Sequence, residues 1–190
     1  QLHLDDAIEA VAASFMTEDR AWLQDITAGV LRLKGRLDFI IDQNALKKKP
    51  SGWLRKVLLV AVYQLLEQDV NPTSVVFETV DLVKRHEGEV PAKFTNAILR
   101  KISAHRDEWK ALPIDEATSS LPHWIWKRLV KSQAKEKVLE FAKACWARPK
   151  TYLALRSGGT VLLESPAALK SHPEFVKGDM VKEGAVIIDV

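Results

Sequence analysis

Apolar residues recur at intervals of three and four along the first 110 positions, the period of helices that each bury one face. Leu4, Ile8, Val11, Ala12 and Phe15 predict a first helix. Thr17 offers an N-cap hydroxyl to a second, with Glu18 and Asp19 in its positive first turn and Trp22, Leu23, Ile26 and Val30 turned inward. Leu37, Ile40 and Ile41 mark a third. Pro50-Ser51-Gly52 breaks the pattern, and the run from Trp53 to Leu66 is then apolar on almost every side. A helix of that kind is surrounded by others, which predicts the centre of a bundle. Asn71-Pro72 caps and opens a fifth helix with Val76, Val80 and Val83 inward, and Pro91 opens a sixth striped by Phe94, Ile98 and Ile102. Short connections between six such helices predict an antiparallel bundle.

Beyond Lys110 the pattern changes. Pro113, Ser119-Ser120 and Pro122 punctuate a predicted linker, followed by two short helices around Trp124–Lys131 and Lys135–Cys145. Thr151 to Arg156 alternates like a strand, and Gly158-Gly159 is a turn before Val161-Leu162-Leu163. The final run, Ala185-Val186-Ile187-Ile188-Asp189-Val190, predicts a buried parallel strand. A central strand with no partner after it predicts a truncated sheet. The absent initiator methionine predicts a chain that begins inside a longer protein or is processed.

Composition narrows the function classes. No apolar run reaches the roughly 18–20 residues of a membrane span. Cys145 is the single cysteine in 190 residues, so no intrachain disulfide can form and a reducing compartment is expected. Acids in Gln1-Leu2-His3-Leu4-Asp5-Asp6 stand where a secretion signal is basic. The expected location is cytoplasmic, with no membrane partner. Twenty-eight Lys and Arg against 25 Asp and Glu leave a net charge of +3, so any contact with nucleic acid must come from local patches.

One such patch surrounds the fourth helix: Lys47, Lys48 and Lys49, then Arg55 and Lys56, with Lys84, Arg85, Arg100 and Lys101 at the ends of the fifth and sixth helices. Phosphate binding needs positive charge gathered on one side. The helix dipole alone also draws Lys and Arg to helix C-termini, so both readings stand for the last four. Trp22 and Trp53 fall on apolar faces and are expected in the core, whereas Trp124 and Trp126 beside the linker are candidates for stacking on bases. His3, His86, His105, His123 and His172 lack metal-ligand spacing. Cys145 shares a helical face with Val138, Phe141 and Ala142 and is expected to be a buried packing residue.

Several segments resemble the NusB-like helical domain. They are Asp19-Arg20-Ala21-Trp22-Leu23, Gly29-Val30-Leu31-Arg32 with Gly35-Arg36-Leu37-Asp38, Leu58 to Leu66, Glu78 to Lys84, and most clearly Lys93-Phe94-Thr95-Asn96-Ala97-Ile98-Leu99-Arg100-Lys101-Ile102. Two settings for that domain are a free-standing antitermination factor, which binds RNA with a ribosomal protein, and the N-terminus of the RsmB (Sun/Fmu) family of rRNA cytosine-5 methyltransferases. Leu121 to Leu129, Arg148-Pro149, Leu153 to Arg156 and Phe175-Val176-Lys177-Gly178-Asp179 are similar to the region C-terminal to the domain in the methyltransferases, and favour them.

The resemblance implies a mainly α protein. A NusB-like bundle at 1–112, a linker at 113–121 and a small α+β segment at 122–180 would lead into a truncated Rossmann-like methyltransferase domain at 181–190. It implies rRNA as partner, with a ribosomal protein as a further one, and S-adenosylmethionine as cofactor, Asp189 opening its motif. The family's first helix, the stretch expected between Met180 and Val181, the cofactor loop and the two cysteines that attack and release the pyrimidine have no counterpart here. Adding a thiolate to carbon 6 is what makes carbon 5 of cytosine nucleophilic. The chain is therefore expected to bind RNA without performing the chemistry.

Overall fold

The computed structural model describes residues 4–12, 15–45, 49–148, 151–155 and 159–163. Its chain falls into two compact units, 1–146 and 147–190. In the first, helices α1 (Leu4–Ala12), α2 (Thr17–Arg32), α3 (Lys34–Asn44), α4 (Gly52–Glu67), α5 (Pro72–Glu87) and α6 (Glu89–Ala104) are followed by a short α7 (Arg106–Lys110), then α8 (His123–Ser132) and α9 (Lys135–Trp146). None of the described helices is long and apolar enough to cross a membrane.

The all-round apolarity of α4 is explained by its neighbours, for it packs against α2, α3, α5 and α6. Leu58, Val62, Leu65 and Leu66 are sealed from solvent, and Leu37, Ile40 and Ile41 of α3 and Ile98, Leu99 and Ile102 of α6 close over them. Gly29 allows α2 to approach: a Cβ there would stand 2.1 Å from the Tyr63 hydroxyl. At the start of α5, the Asn71 side chain accepts from the Thr73 amide at 2.9 Å, and Pro72 takes a position where no amide is needed. Gly88, at φ 92°, both ends α5 and caps α6, so the two helices fold back on each other through one residue that favours glycine.

Some expected inward faces are turned differently. Ile8 is half-buried but Val11 is exposed, because α1 has α2 as its main neighbour and can bury only a narrow strip; Phe15, after α1, and Trp22, on α2, are exposed as well. Thr17 begins α2, and Met16 holds the cap position without a side-chain bond. Trp53 is only half-buried, its ring stacked on His86 at 3.9 Å and 14°. On α5 the sealed row is Val75, Thr79 and Val83, one step round from the predicted Val76 and Val80, which are half-buried. On α9 the packed strip is Val138, Ala142 and Trp146; Phe141 and Cys145 lie beside it and are exposed. The burial expected for Cys145 is thus corrected.

The segment 113–121, predicted as a linker, is docked on the bundle through Arg36. That side chain is 4% exposed, and donates to the carbonyls of Trp109 (2.8 Å), Lys110 (2.9 Å) and Leu112 (3.2 Å). Its backbone amide, one of the unpaired donors in the first turn of α3, is capped from far along the chain by Ser120 Oγ at 3.0 Å. The guanidinium lies 4.6 Å from the centroid of the Trp146 ring, whose Nε1 donates to the Ser119 carbonyl at 2.8 Å. Burial pushes the Arg36 guanidinium below its ordinary pKa, and the charge of Glu67 pulls it partly back. Thr118 and Ser119 are buried, and Ser120 is held at φ 61°.

In the second unit, β1 (Thr151–Leu155) pairs antiparallel with β2 (Gly159–Leu163), Thr151 opposite Leu163 and Leu155 opposite Gly159. The strand expected at 185–190, with Asp189, and the Rossmann-like region lie outside the described residues.

Replacing Arg36 with Met leaves three carbonyls without their donor, and urea denaturation should register a loss of about 3 kcal/mol or more. A Cβ at Gly35 would lie 2.7 Å from the Ser120 Cα. Gly35→Ala is expected to expose 113–121 to limited proteolysis while the bundle stays folded.

Candidate nucleic-acid interface

The structure separates the basic residues that the sequence grouped. Lys47 and Lys48 lie outside the described residues. Lys49 Nζ meets Asp42 Oδ2 at 2.7 Å. Arg55 Nε donates to Asp38 Oδ1 at 2.7 Å, its Nη2 to the Asp38 carbonyl at 3.1 Å, and its Nη1 to Asp42. With its side chain only 18% exposed, Arg55 clamps α3 to α4 and has its charge answered from within. Burial pushes the Asp42 carboxyl up, but hydrogen bonds and charge from Lys49 and Arg55 outweigh it and hold the group below the usual carboxylate range. The same bonds hold Arg55 above its ordinary value against the opposing effect of burial. A signal of this role was present in the sequence, since Asp38 and Asp42 stand one helical turn apart and present two carboxylates on one face.

Two of the other cations share a groove. On α5, Thr73, Val76, Phe77, Val80, Asp81 and Lys84 fall at helical spacing along one flank; on α6, Asn96, Arg100, Ser103 and Ala104 do the same, and the hairpin lays the rows together. Arg100 is exposed and forms no ion pair among the described residues. Lys84 reaches Glu89 at 2.7 Å across the Gly88 turn, and that bond raises its pKa. Both partners are exposed, so the pair contributes little and can yield to another anion. Asp81, the acid in the groove, is tied to Arg85 at 3.0 Å. Phe77 is 67% exposed on the groove's wall. Phe77 and Asn96 were not among the predicted site residues. For Phe77 the signal was its place off the inward row of α5. Asn96 carried none beyond its polarity.

Lys56 and Arg85 line a second cleft, where Trp22, Trp53, Val57, Val60 and Leu82 supply a mostly apolar surface. Lys101 is exposed and lines neither groove. Trp124 is exposed on α8 and Trp126 half-buried. The α5–α6 groove suits an anion better than the sulfonium cation of S-adenosylmethionine, because Lys84 and Arg100 both line it. Asp189 lies outside the described residues.

Residues 1–104 match the NusB family. Over 130 residues the chain is 33% identical to the ribosomal RNA small subunit methyltransferase B of Escherichia coli O1:K1 / APEC, an alignment covering 63% of this chain and 28% of that protein. It is 30% identical over 182 residues to the protein of the same name from Shigella flexneri serotype 5b (strain 8401), covering 87% of this chain and 40% of that one. The chain thus spans 28% to 40% of the length of these relatives.

The Asp42 bonds stabilise the fold only while the carboxyl is ionised. Because its folded pKa is depressed, their contribution is fully present above the ordinary carboxylate value of about 3.9 and is lost as pH falls through the lower folded value. Thermal melts should show Asp42→Asn less stable than the parent at pH 7, with the gap closing below about pH 4.

Proposed function

We propose, for a chain that belongs to the NusB family, that its helical bundle grips rRNA on behalf of a small-subunit rRNA methyltransferase. The observation that carries the RNA reading is the α5–α6 groove, where Lys84 and Arg100 from two helices stand on one surface with the groove's acid already paired. Phosphate contacts of this kind orient an RNA without reading its sequence. The methyltransferase reading is supported by the extent of the similarity, which covers 182 residues with the Shigella protein, well past the bundle.

The reaction that this reading implies is transfer of a methyl group from S-adenosylmethionine to carbon 5 of a cytosine. Attack at carbon 6 and later release of the product call for two thiolates in the family this chain resembles. Cys145 is exposed, but it is the one cysteine in the chain. One thiol cannot play both parts, so the role proposed for these 190 residues is grip. A second reading is a free-standing antitermination factor acting with a ribosomal protein, and the apolar cleft of Trp22, Val60 and Leu82 favours it. That reading requires a ribosomal protein in the cleft to raise RNA affinity; the methyltransferase reading does not.

Filter binding of an rRNA fragment should give affinity that falls with salt, at a log–log slope of about −1.4 or steeper for two or more neutralised phosphates on a single strand. Arg100→Glu is expected to weaken binding roughly ten-fold at 0.1 M salt, as two phosphate contacts become one and a repulsion. Salt-independent binding, or none, contradicts the proposal. A methyl-transfer assay on the isolated chain should give no incorporation.

A further inference from the structure

We infer that the α5–α6 groove seats an unpaired nucleotide, with Phe77 stacking on the base, Asn96 bonding its edge, and Lys84 and Arg100 holding the phosphates on either side. This rests on the RNA-binding reading above and adds the form of RNA recognised, a single strand or loop instead of a duplex.

An exposed aromatic ring on the wall of a charged groove needs a partner with an apolar flat face and negative charge close by. Phe77 is 67% exposed, while Val76 and Val80 beside it are half-buried and make an apolar floor. The open groove offers about 540 Å³, within the range that admits a small organic group. Its polar lining is of two kinds. Lys84 and Arg100 attract an anion, and Asn96, Thr73 and Ser103 present amide and hydroxyl groups able to donate and to accept. A carboxamide can pair with the donor and acceptor atoms along a base edge. Such an edge is open for reading, and such a face open for stacking, where the base is not already paired and stacked inside a helix. A-form duplex offers mostly backbone to a protein, and Phe77 would have nothing to cover it.

An amphipathic protein helix is the competing occupant. It would be suited by a broad apolar surface, and the cleft of Trp22, Val57, Val60 and Leu82 offers the broader one, with Lys56 and Arg85 also lining it. The α5–α6 groove has one exposed aromatic ring between cations from both helices, and its acid is paired with Arg85. Its charge complements a polyanion.

The test is fluorescence anisotropy with the 190-residue chain, using a labelled mixed-sequence single-stranded RNA and the same sequence closed into a duplex. The expected result is tighter binding of the single strand by about ten-fold, in line with the stacking of one base. Phe77→Ala should remove most of that preference and leave duplex binding unchanged, Phe77→Trp should keep it, and Arg100→Ala should weaken both forms and flatten the salt dependence. Phe77 is exposed, so its variants are expected to fold, which matched thermal melts would check. If Phe77→Ala leaves single-strand binding unaltered while Arg100→Ala weakens it, the groove holds phosphate without a base; the inference is overturned and the RNA-binding function stands. If neither RNA form binds, both fail. Loss of a protein contact in Phe77→Ala, with RNA affinity untouched, also overturns the inference and assigns the groove to a protein partner.

Discussion

Arg36 is 4% exposed and its guanidinium faces the carbonyls of Trp109, Lys110 and Leu112; a buried charge is tolerated only while such acceptors remain in place. This constraint reaches in both directions along the chain. Backward, it fixes the first turn of α3, whose free amide takes its cap from Ser120. Forward, it holds the chain leaving α7 and, through Ser119 and Trp146, the end of α9. Hydrophobic packing alone would tolerate sliding of so short a helix as α7. Directional bonds to one charged group do not, so 113–146 shares one compact unit with the bundle.

The core and the proposed RNA surface are two sides of one hairpin. Val75, Thr79 and Val83 of α5 and Ile98, Leu99 and Ile102 of α6 face the bundle, which leaves Phe77, Lys84, Asn96 and Arg100 on the flanks that form the groove. Gly88 sets how tightly the helices return on each other, and thereby sets two cations from separate helices into one cleft. Arg55 shows the contrast. It is as basic as Arg100, but two aspartates meet it, and it serves the fold.

Much of this was legible in the residues. The centrality of α4 followed from its uniform apolarity, the α5 cap from Asn71-Pro72, and the two strands β1 and β2 from their apolar runs, although Gly159, read as part of the turn, already pairs with Leu155. The bundle's family was readable in the segment from Lys93 to Ile102. The role of Arg36 was not, because its partners lie more than seventy residues away and are backbone carbonyls, which look alike in every sequence. Exposure of Phe15, Trp22 and Cys145 was missed for a related reason. Periodicity tells which residues share a face, but not whether another element arrives to cover it. The basic patch failed as a single surface because counting cations ignores the aspartates opposite them, and Lys56 with Arg85 lines a different cleft from Lys84 with Arg100.

A bundle that meets RNA along its α5–α6 hairpin should be shielded there when RNA is bound. Hydrogen–deuterium exchange of the 190-residue chain with and without an rRNA fragment addresses that claim directly. Slowed exchange concentrated in 72–104, with α2 and α8 unchanged, is the predicted footprint. Protection confined to α8 and α9, or spread evenly over the chain, would contradict it.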